Sequence, residues 1–359
     1  MAVISGAHAA DESRRTPSLV QAWLLLVALL VLAMIVVGGA TRLTDSGLSI
    51  TEWQPLLGAI PPLTDAHWQE AFAKYQQIPE YHQVNKGMSL ADFKVIYWWE
   101  WSHRFLGRII GVVFALPLLV FWALGRLPGG MAWKLVGVLA LGGLQGAIGW
   151  YMVKSGLVDR VDVSHYRLAL HLGTAFLILA ALVWLALDLE ARPIAIRLDT
   201  LTRGQRRAAA MLLGLLFLQV LLGALVAGTK AGLTYNTWPL MDGRLVPDGL
   251  LSMSPWFVNV FENVATIQFD HRVLAYVIVA LALWHALSLR GVDDERVMMS
   301  AVLLVLAVLA QAALGIWTLL AAKGAIPIGL GLAHQGFAAV LFAIAVWHLH
   351  RMTRSPARG

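Results

Sequence analysis

The chain has no cysteine among its 359 residues and carries little charge, with Asp, Glu, Lys and Arg together only 13%. The first absence excludes disulfides, iron–sulfur ligation, thiol catalysis and any cofactor attached through thioethers. The second excludes an ordinary soluble domain, in which about a quarter of the residues are charged. Acidic residues number 21 against 27 Lys and Arg, and the pI is about 9.7. The basic residues cluster at the ends of apolar runs, where membrane topology places them, so nucleic acid is not an expected partner.

What is present is apolar: 59% of the residues are hydrophobic and the mean hydropathy is +0.70. Spanning the hydrocarbon of a bilayer takes about 20 such residues in a helix. Eight segments qualify, roughly 20–40, 97–124, 134–153, 168–187, 208–228, 269–289, 299–321 and 329–349. Lipid offers backbone amides no outside partner, so each must be helical. The expected class is an all-α membrane protein. The first apolar run is longer than the 7–15 residues of a signal peptide core and no A-x-A-like site follows, so it reads as a retained anchor. Arg192, Arg197, Arg203, Arg206 and Arg207 mark the connection between the fourth and fifth spans as cytoplasmic. Arg14 and Arg15 before the first span, and Arg351, Arg354 and Arg358 after the last, fall on the same side, placing both termini in the cytoplasm.

The sequence repeats itself. Glu100-Trp101-Ser102-His103-Arg104 returns as Gln268-Phe269-Asp270-His271-Arg272, and His171-Leu172-Gly173 returns as His334-Gln335-Gly336. Gly47-Leu48-Ser49-Ile50 returns as Gly232-Leu233-Thr234-Tyr235, and Gln145-Gly146-Ala147-Ile148-Gly149 as Gln311-Ala312-Ala313-Leu314-Gly315. The expected organisation is a cytoplasmic N-terminus (1–19), an N-terminal four-helix half (20–190) with a long outer loop (41–96), a basic cytoplasmic linker (191–207), a C-terminal four-helix half (208–350) and a cytoplasmic tail (351–359). An even number of spans per unit makes the repeats parallel, so the fold is two parallel-repeat four-helix bundles. Within the loop, Asp65 to Gln77 reads as a short amphipathic helix at the membrane surface, either closing over a site beneath it or, in the plainer alternative, simply packed at the surface. Gly142, Gly143, Gly146, Gly149, Gly223 and Gly315 read chiefly as helix-packing positions.

Histidine inside a membrane helix is costly unless it pairs or binds, and neutral imidazole is a good axial ligand for haem iron. The same pair at equivalent places makes His103, His171, His271 and His334 the candidate iron ligands. Arg104 and Arg272, each directly after a ligand histidine, are candidates for haem propionates. Arg42 and Lys230, ending the first span of each half, meet propionates or mark the interface. Glu100 lies three residues before His103, on the same helical face, as a reactive carboxylate or, in the plainer reading, as an interfacial glutamate paired with Arg104. Its counterpart Gln268 cannot exchange a proton near neutrality. The repeat thus keeps its ligands in both halves and its carboxylate in one, which suggests a reactive first site and a non-reactive second. Asp270 is either an orienting partner of His271 or an interfacial acid. His165 has no counterpart in the second half and precedes the fourth span. His285, His348 and His350, at cytoplasmic helix ends, are read as interfacial or as serving charge roles, and His8, His67 and His82 as loop or terminal residues.

This pattern resembles the haem A synthase family. The resemblance covers nearly the whole chain, through Gly38-Gly39-Ala40-Thr41-Arg42-Leu43-Thr44, Glu100-Trp101-Ser102-His103-Arg104, Tyr166 to Gly173, Ala227-Gly228-Thr229-Lys230-Ala231-Gly232, Phe269-Asp270-His271-Arg272 and Ala333-His334-Gln335-Gly336. It implies oxidation of a methyl group of haem O to the formyl group of haem A, for cytochrome c oxidase biogenesis. It further implies that His103 and His171 hold haem O as substrate, that His271 and His334 hold haem b as cofactor, and that Glu100 is the essential acid. Some family members carry outer-loop cysteines. This chain resembles the cysteine-free branch of proteobacteria and mitochondria, and its short N-terminus favours a bacterial inner membrane. Expected partners are membrane lipid, a haem O synthase, oxidase assembly factors and an electron acceptor, and a homo-oligomer is compatible with the sequence. Two other classes compete. A quinol-linked di-haem electron carrier would normally place its haems on opposite membrane sides, whereas here all four histidines fall on one. A transporter with parallel repeats leaves the histidines unexplained.

Overall fold

The computed structural model describes residues 19–54, 57–159, 161–189, 201–292 and 294–353. Eight long helices, each apolar enough to cross a bilayer, are α1 (Leu19–Leu43), α2 (Leu90–Ala123), α3 (Met131–Asp159), α4 (His165–Asp188), α5 (Arg203–Gly228), α6 (Val264–Ser288), α7 (Glu295–Leu320) and α8 (Ile328–Thr353). Among the described residues the only extended pairing is an isolated bridge between Met241 and Arg244. Each expected apolar segment lies within its helix to within a residue at the C-terminal end. The helices start earlier, because polar caps rather than apolar runs begin them. Ser89 with Asp92 and Thr202 with Gln205 form capping boxes at α2 and α5. Asn263 and Asp294 accept the first free amides of α6 and α7.

The cap at Thr202 corrects the expected linker, which ends at Thr202 rather than residue 207, with Arg203, Arg206 and Arg207 in the first turns of α5. The expected N-terminal segment and tail, with Arg14, Arg15, Arg354 and Arg358, lie outside the described residues, as do Arg192 and Arg197.

Helices α1 to α4 pack in a closed ring, each on the next and α4 back on α1, and α5 to α8 do the same. The rings meet along α4 against α5, α1 against α8, and α4 against α8. At the end nearer the termini, Leu24, Leu118, Phe176, Leu182, Leu212 and Phe342 belong to one continuous apolar core. In lipid such packing stabilises through close contact rather than through transfer from water. The repeated histidines lie in the other half of the bundle, toward the long loops.

At that loop end α2 outruns the bilayer: 34 residues span about 51 Å at 1.5 Å each, against a hydrocarbon core of about 30 Å. Its first turns therefore stand clear and carry the loop. The amphipathic helix runs Asp65–Tyr75, two residues shorter than expected, and is capped by Thr64. Trp68, Phe72 and Tyr75 are buried against Phe93, Ile96 and Tyr97. Phe72 and Phe93 pack as tilted rings with centres 5.0 Å apart, and Trp68 meets Tyr97 edge to face at 5.0 Å. The helix is a packed lid on α2, which agrees with the plainer of the two expectations.

Candidate functional site

Each repeated histidine rests its ring against a glycine of the preceding long helix. A Cβ placed on Gly38 of α1 would lie 3.2 Å from His103 Nε2 on α2. The same test gives 3.1 Å from Gly149 of α3 to His171 Cε1, 3.2 Å from Gly223 of α5 to His271 Cε1, and 2.8 Å from Gly315 of α7 to His334 Cε1. All are tighter than ordinary carbon contacts of about 3.5–4.0 Å. Absence of a side chain at these four places is what lets the imidazoles lie between helices. Gly142, Gly143 and Gly146, by contrast, meet nothing within 4 Å. The expectation that this set serves helix packing thus divides: Gly149, Gly223 and Gly315 seat rings, and the other three touch no neighbour.

One turn before three of these glycines stands a glutamine. Gln145 Nε2 donates to the His171 carbonyl at 3.0 Å, Gln219 Nε2 to the His271 carbonyl at 2.9 Å, and Gln311 Nε2 to the His334 carbonyl at 3.0 Å. The amides also lie 3.4 Å from His171 Nε2, 3.3 Å from His271 Nε2 and 3.1 Å from His334 Nδ1. Oε1 of all three glutamines, and Nδ1 of His171 and His271, are buried without a partner. A metal-binding imidazole needs one ring nitrogen for the metal and a partner for the other, and the buried amides of Gln145, Gln219 and Gln311 stand within reach of such a nitrogen. His103 and His171 stand on α2 and α4 of the first ring, and His271 and His334 on α6 and α8 of the second. Among the described residues no three His, Asp or Glu side chains gather to hold a bare metal ion. Paired imidazoles do fit an iron whose remaining ligands are porphyrin nitrogens.

Glu100 is buried, 2% exposed. Its Oε2 accepts from Ser49 Oγ at 2.8 Å and from the Ile50 amide at 2.7 Å, and its Oε1 accepts from Arg104 Nη2 at 2.6 Å. Arg104 also donates to the carbonyls of Ile50 and Glu52, at 2.9 and 3.0 Å. Acid and base together clamp the start of the long loop onto α2. The second half builds the clamp without the charge. Gln268 Nε2 and Arg272 Nη2 both donate to the Tyr235 carbonyl at 2.9 Å. This leaves Gln268 Oε1 and Arg272 Nε buried and unpaired. Arg272 therefore keeps a donor for an anion, whereas Arg104 is committed to Glu100. Arg272 also lines a cavity of about 340 Å³ with Trp238, Phe269 and Tyr276.

Arg42 donates to the Ala227 carbonyl of α5, and Lys230 pairs with Asp162 at 3.0 Å. Both contacts cross between the two halves, a role that neither the propionate nor the membrane-interface expectation included. Nor do the two residues occupy equivalent places. Lys230 is left-handed at φ 54°, as is Asp45 at φ 47°, so Lys230 ends its helix where Asp45 follows α1. Asp270 is half-buried beside His271.

His285 and His348, near the ends of α6 and α8, pair with one another inside the protein. Both are 1% exposed, their Nε2 atoms lie 2.9 Å apart, and Ser300 Oγ is 2.7 Å from His348 Nδ1. His350 pairs with Asp188 at 2.9 Å, and His165 lies 3.5 Å from Glu262. Sequence reasoning also passed over Gln219, Met34 and Glu80. A glutamine four residues before a glycine, present in three of the four helices that precede a repeated histidine, was the signal that would have found the first two.

The chain matches the family model COX15-CtaA, cytochrome oxidase assembly protein, over residues 21–346. It is 53% identical to a heme A synthase of Parvibaculum lavamentivorans, an alignment covering 92% of this chain and 94% of the relative. It is 54% identical to the heme A synthase of a Chelativorans species, over 95% and 93% of the two chains. It is 51% identical to that of Mesorhizobium japonicum, over 97% and 95%. With identity of this level along almost its whole length, the chain belongs to the COX15-CtaA family of cytochrome oxidase assembly proteins.

Proposed function

We propose that this protein is an oxidoreductase of haem A formation, converting a methyl group of haem O to the formyl group of haem A for cytochrome c oxidase. The observation that carries the reading is the duplicated, glycine-seated histidine pair in which only the first half retains a carboxylate, Glu100 against Gln268. The name heme A synthase borne by the relatives supports the same reaction.

In this reading His103 and His171 hold haem O in the N-terminal half (20–190), and His271 and His334 hold haem b in the C-terminal half (208–350). Haem b, when bound, supplies one-electron chemistry and so an outlet for electrons leaving the substrate. With water as the oxygen donor, breaking the methyl C–H bonds also releases protons, the electrons passing on to the electron acceptor. Glu100, one helical turn from His103, is the group of this chain that accepts one, or that balances positive charge on the macrocycle. Arg104 holds that carboxylate in place and borders the substrate. Arg272, with its unpaired Nε, serves a haem b propionate. The glycine seats and glutamines orient the imidazoles.

The protein sits in the bacterial inner membrane with both termini cytoplasmic, a placement supported by Arg203, Arg206, Arg207 and Arg351 at one end of the bundle. The histidines then lie toward the outer face. A hydrophobic product suits direct hand-over, with a haem O synthase, oxidase assembly factors and an electron acceptor as partners. The test is extraction and chromatography of the haems from protein expressed with a haem O source. Haem B together with haem O, haem A or a hydroxylated intermediate is the expected result. Haem B alone, with no conversion of supplied haem O, would replace the enzyme by a di-haem electron carrier.

A further inference from the structure

Three of the four ligand histidines are latched and one is not. Gln145, Gln219 and Gln311 each hold the carbonyl of the histidine they face, at 2.9–3.0 Å, from one turn before the seating glycine. In α1 the residue one turn before the seat Gly38 is Met34. A thioether has no N–H to donate, and it is at most a weak acceptor. Met34 lies at the seat: its Cε would be 3.5 Å from a Cβ on Gly107, one turn beyond His103. Its counterpart in the second half, one turn before Gly223, is Gln219. The exchange thus falls in the same half, and on the same histidine, as the exchange of Gln268 for Glu100.

We propose that Gln145, Gln219 and Gln311 are positioning residues that lock three imidazoles, and that Met34 leaves His103 as the one axial ligand able to let go. The inference rests on the two-haem reading above and deepens it. A retained haem needs both its ligands fixed, as His271 and His334 are. A haem that enters as substrate and leaves as product needs one ligand that swings aside without losing a contact to a buried amide. Turning the His271 ring out would lose its 3.3 Å contact with the Gln219 amide, although the bond to the His271 carbonyl stays, whereas His103 faces Met34 and has no glutamine contact to lose.

The experiment uses the full-length protein purified with its haems. Its readouts are carbon monoxide binding to the ferrous protein, which requires a vacated axial position, and the rate of haem transfer to apomyoglobin. In the wild type, carbon monoxide should bind in the first half and be excluded from the second. Met34→Gln should suppress that binding and slow haem release from the first half roughly five- to tenfold, the effect of about one hydrogen bond. Gln219→Met, close in size and so least disruptive, should open the second half to carbon monoxide and speed its release by a similar factor. Met34→Gln protein with wild-type release and binding would overturn the proposal. If that variant does not assemble, Gln219→Met decides alone, and continued exclusion of carbon monoxide from the second half would overturn it. His103→Ala and His271→Ala, assayed for haem content, separate this from the parent reading. Loss of one haem from each upholds the two sites whatever Met34 does, and unchanged content in both would sink the sites and the proposal together.

Discussion

Replacing Gly315 by alanine tests the seating geometry where it is tightest. The added methyl would stand 2.8 Å from His334 Cε1, 3.4 Å from Nδ1 and 3.5 Å from Nε2. Ordinary carbon contact begins near 3.5 Å, so the ring or the helix must retreat by roughly 0.7 Å. The main chain cannot draw back freely, because Gln311, on the same helix as the new methyl, holds the His334 carbonyl at 3.0 Å, and the ring cannot turn without losing its 3.1 Å contact with the same amide. Overpacking of this kind costs about 1–3 kcal/mol, which at about 1.4 kcal/mol per tenfold is a loss of roughly 5- to 150-fold in haem retention. Gly223→Ala, at 3.2 Å from His271 Cε1, should fall at the mild end of that range. Gly142→Ala meets nothing within 4 Å and should be neutral or slightly stabilising, since alanine favours helix by up to about 1 kcal/mol over glycine. The assay is haem per protein after purification, with the rate of haem loss to a scavenger. Equal haem retention in Gly315→Ala and Gly142→Ala would refute the seat.

Glu100→Gln should keep both haems and lose conversion to haem A, read by chromatography of the extracted haems, and normal product formation in that variant would remove Glu100 from the chemistry. The same change strips Arg104, whose side chain is 15% exposed, of its charge partner, so thermal stability should drop by up to about 3 kcal/mol. His271→Ala should lose haem b while the first half keeps its haem, and an undiminished haem B content would overturn the division between halves. Glu80, 3% exposed in the loop, has its carboxyl pushed up to about 8 by burial and then by the charge of Glu100. A folded-state value above the unfolded one of about 4.5 means that the folded protein binds the extra proton. Stability should therefore be highest below about pH 4.5 with respect to this group and fall as pH rises toward 8. Glu80→Gln should flatten that slope in melting curves taken across the window, and an unchanged slope would show that Glu80 is ionised throughout.

Much of this protein was written in one dimension. Eight apolar runs set eight helices, because a bilayer leaves a spanning chain no other way to pair its amides. Repetition of His103 and His171 as His271 and His334, and the exchange of Glu100 for Gln268, needed no coordinates, since matched residues at matched spacing survive in the string itself. Helix starts were less legible: the caps at Ser89 and Thr202 lie outside the apolar runs whose periodicity gives the signal. Only the tertiary structure decided what the neighbours of each histidine do. Gly149 and Gly146 look alike as sequence, yet one seats an imidazole and the other meets nothing within 4 Å. Glu100 and Arg104 are an i, i+4 pair in any helix, but their clamp on Ile50 requires the loop to return to α2. His285 and His348, 63 residues apart, pair only because α6 and α8 bring them together. Local pattern fixes which way a side chain points along its own helix, while the rotation and register of one helix against the next follow from the packing of all eight.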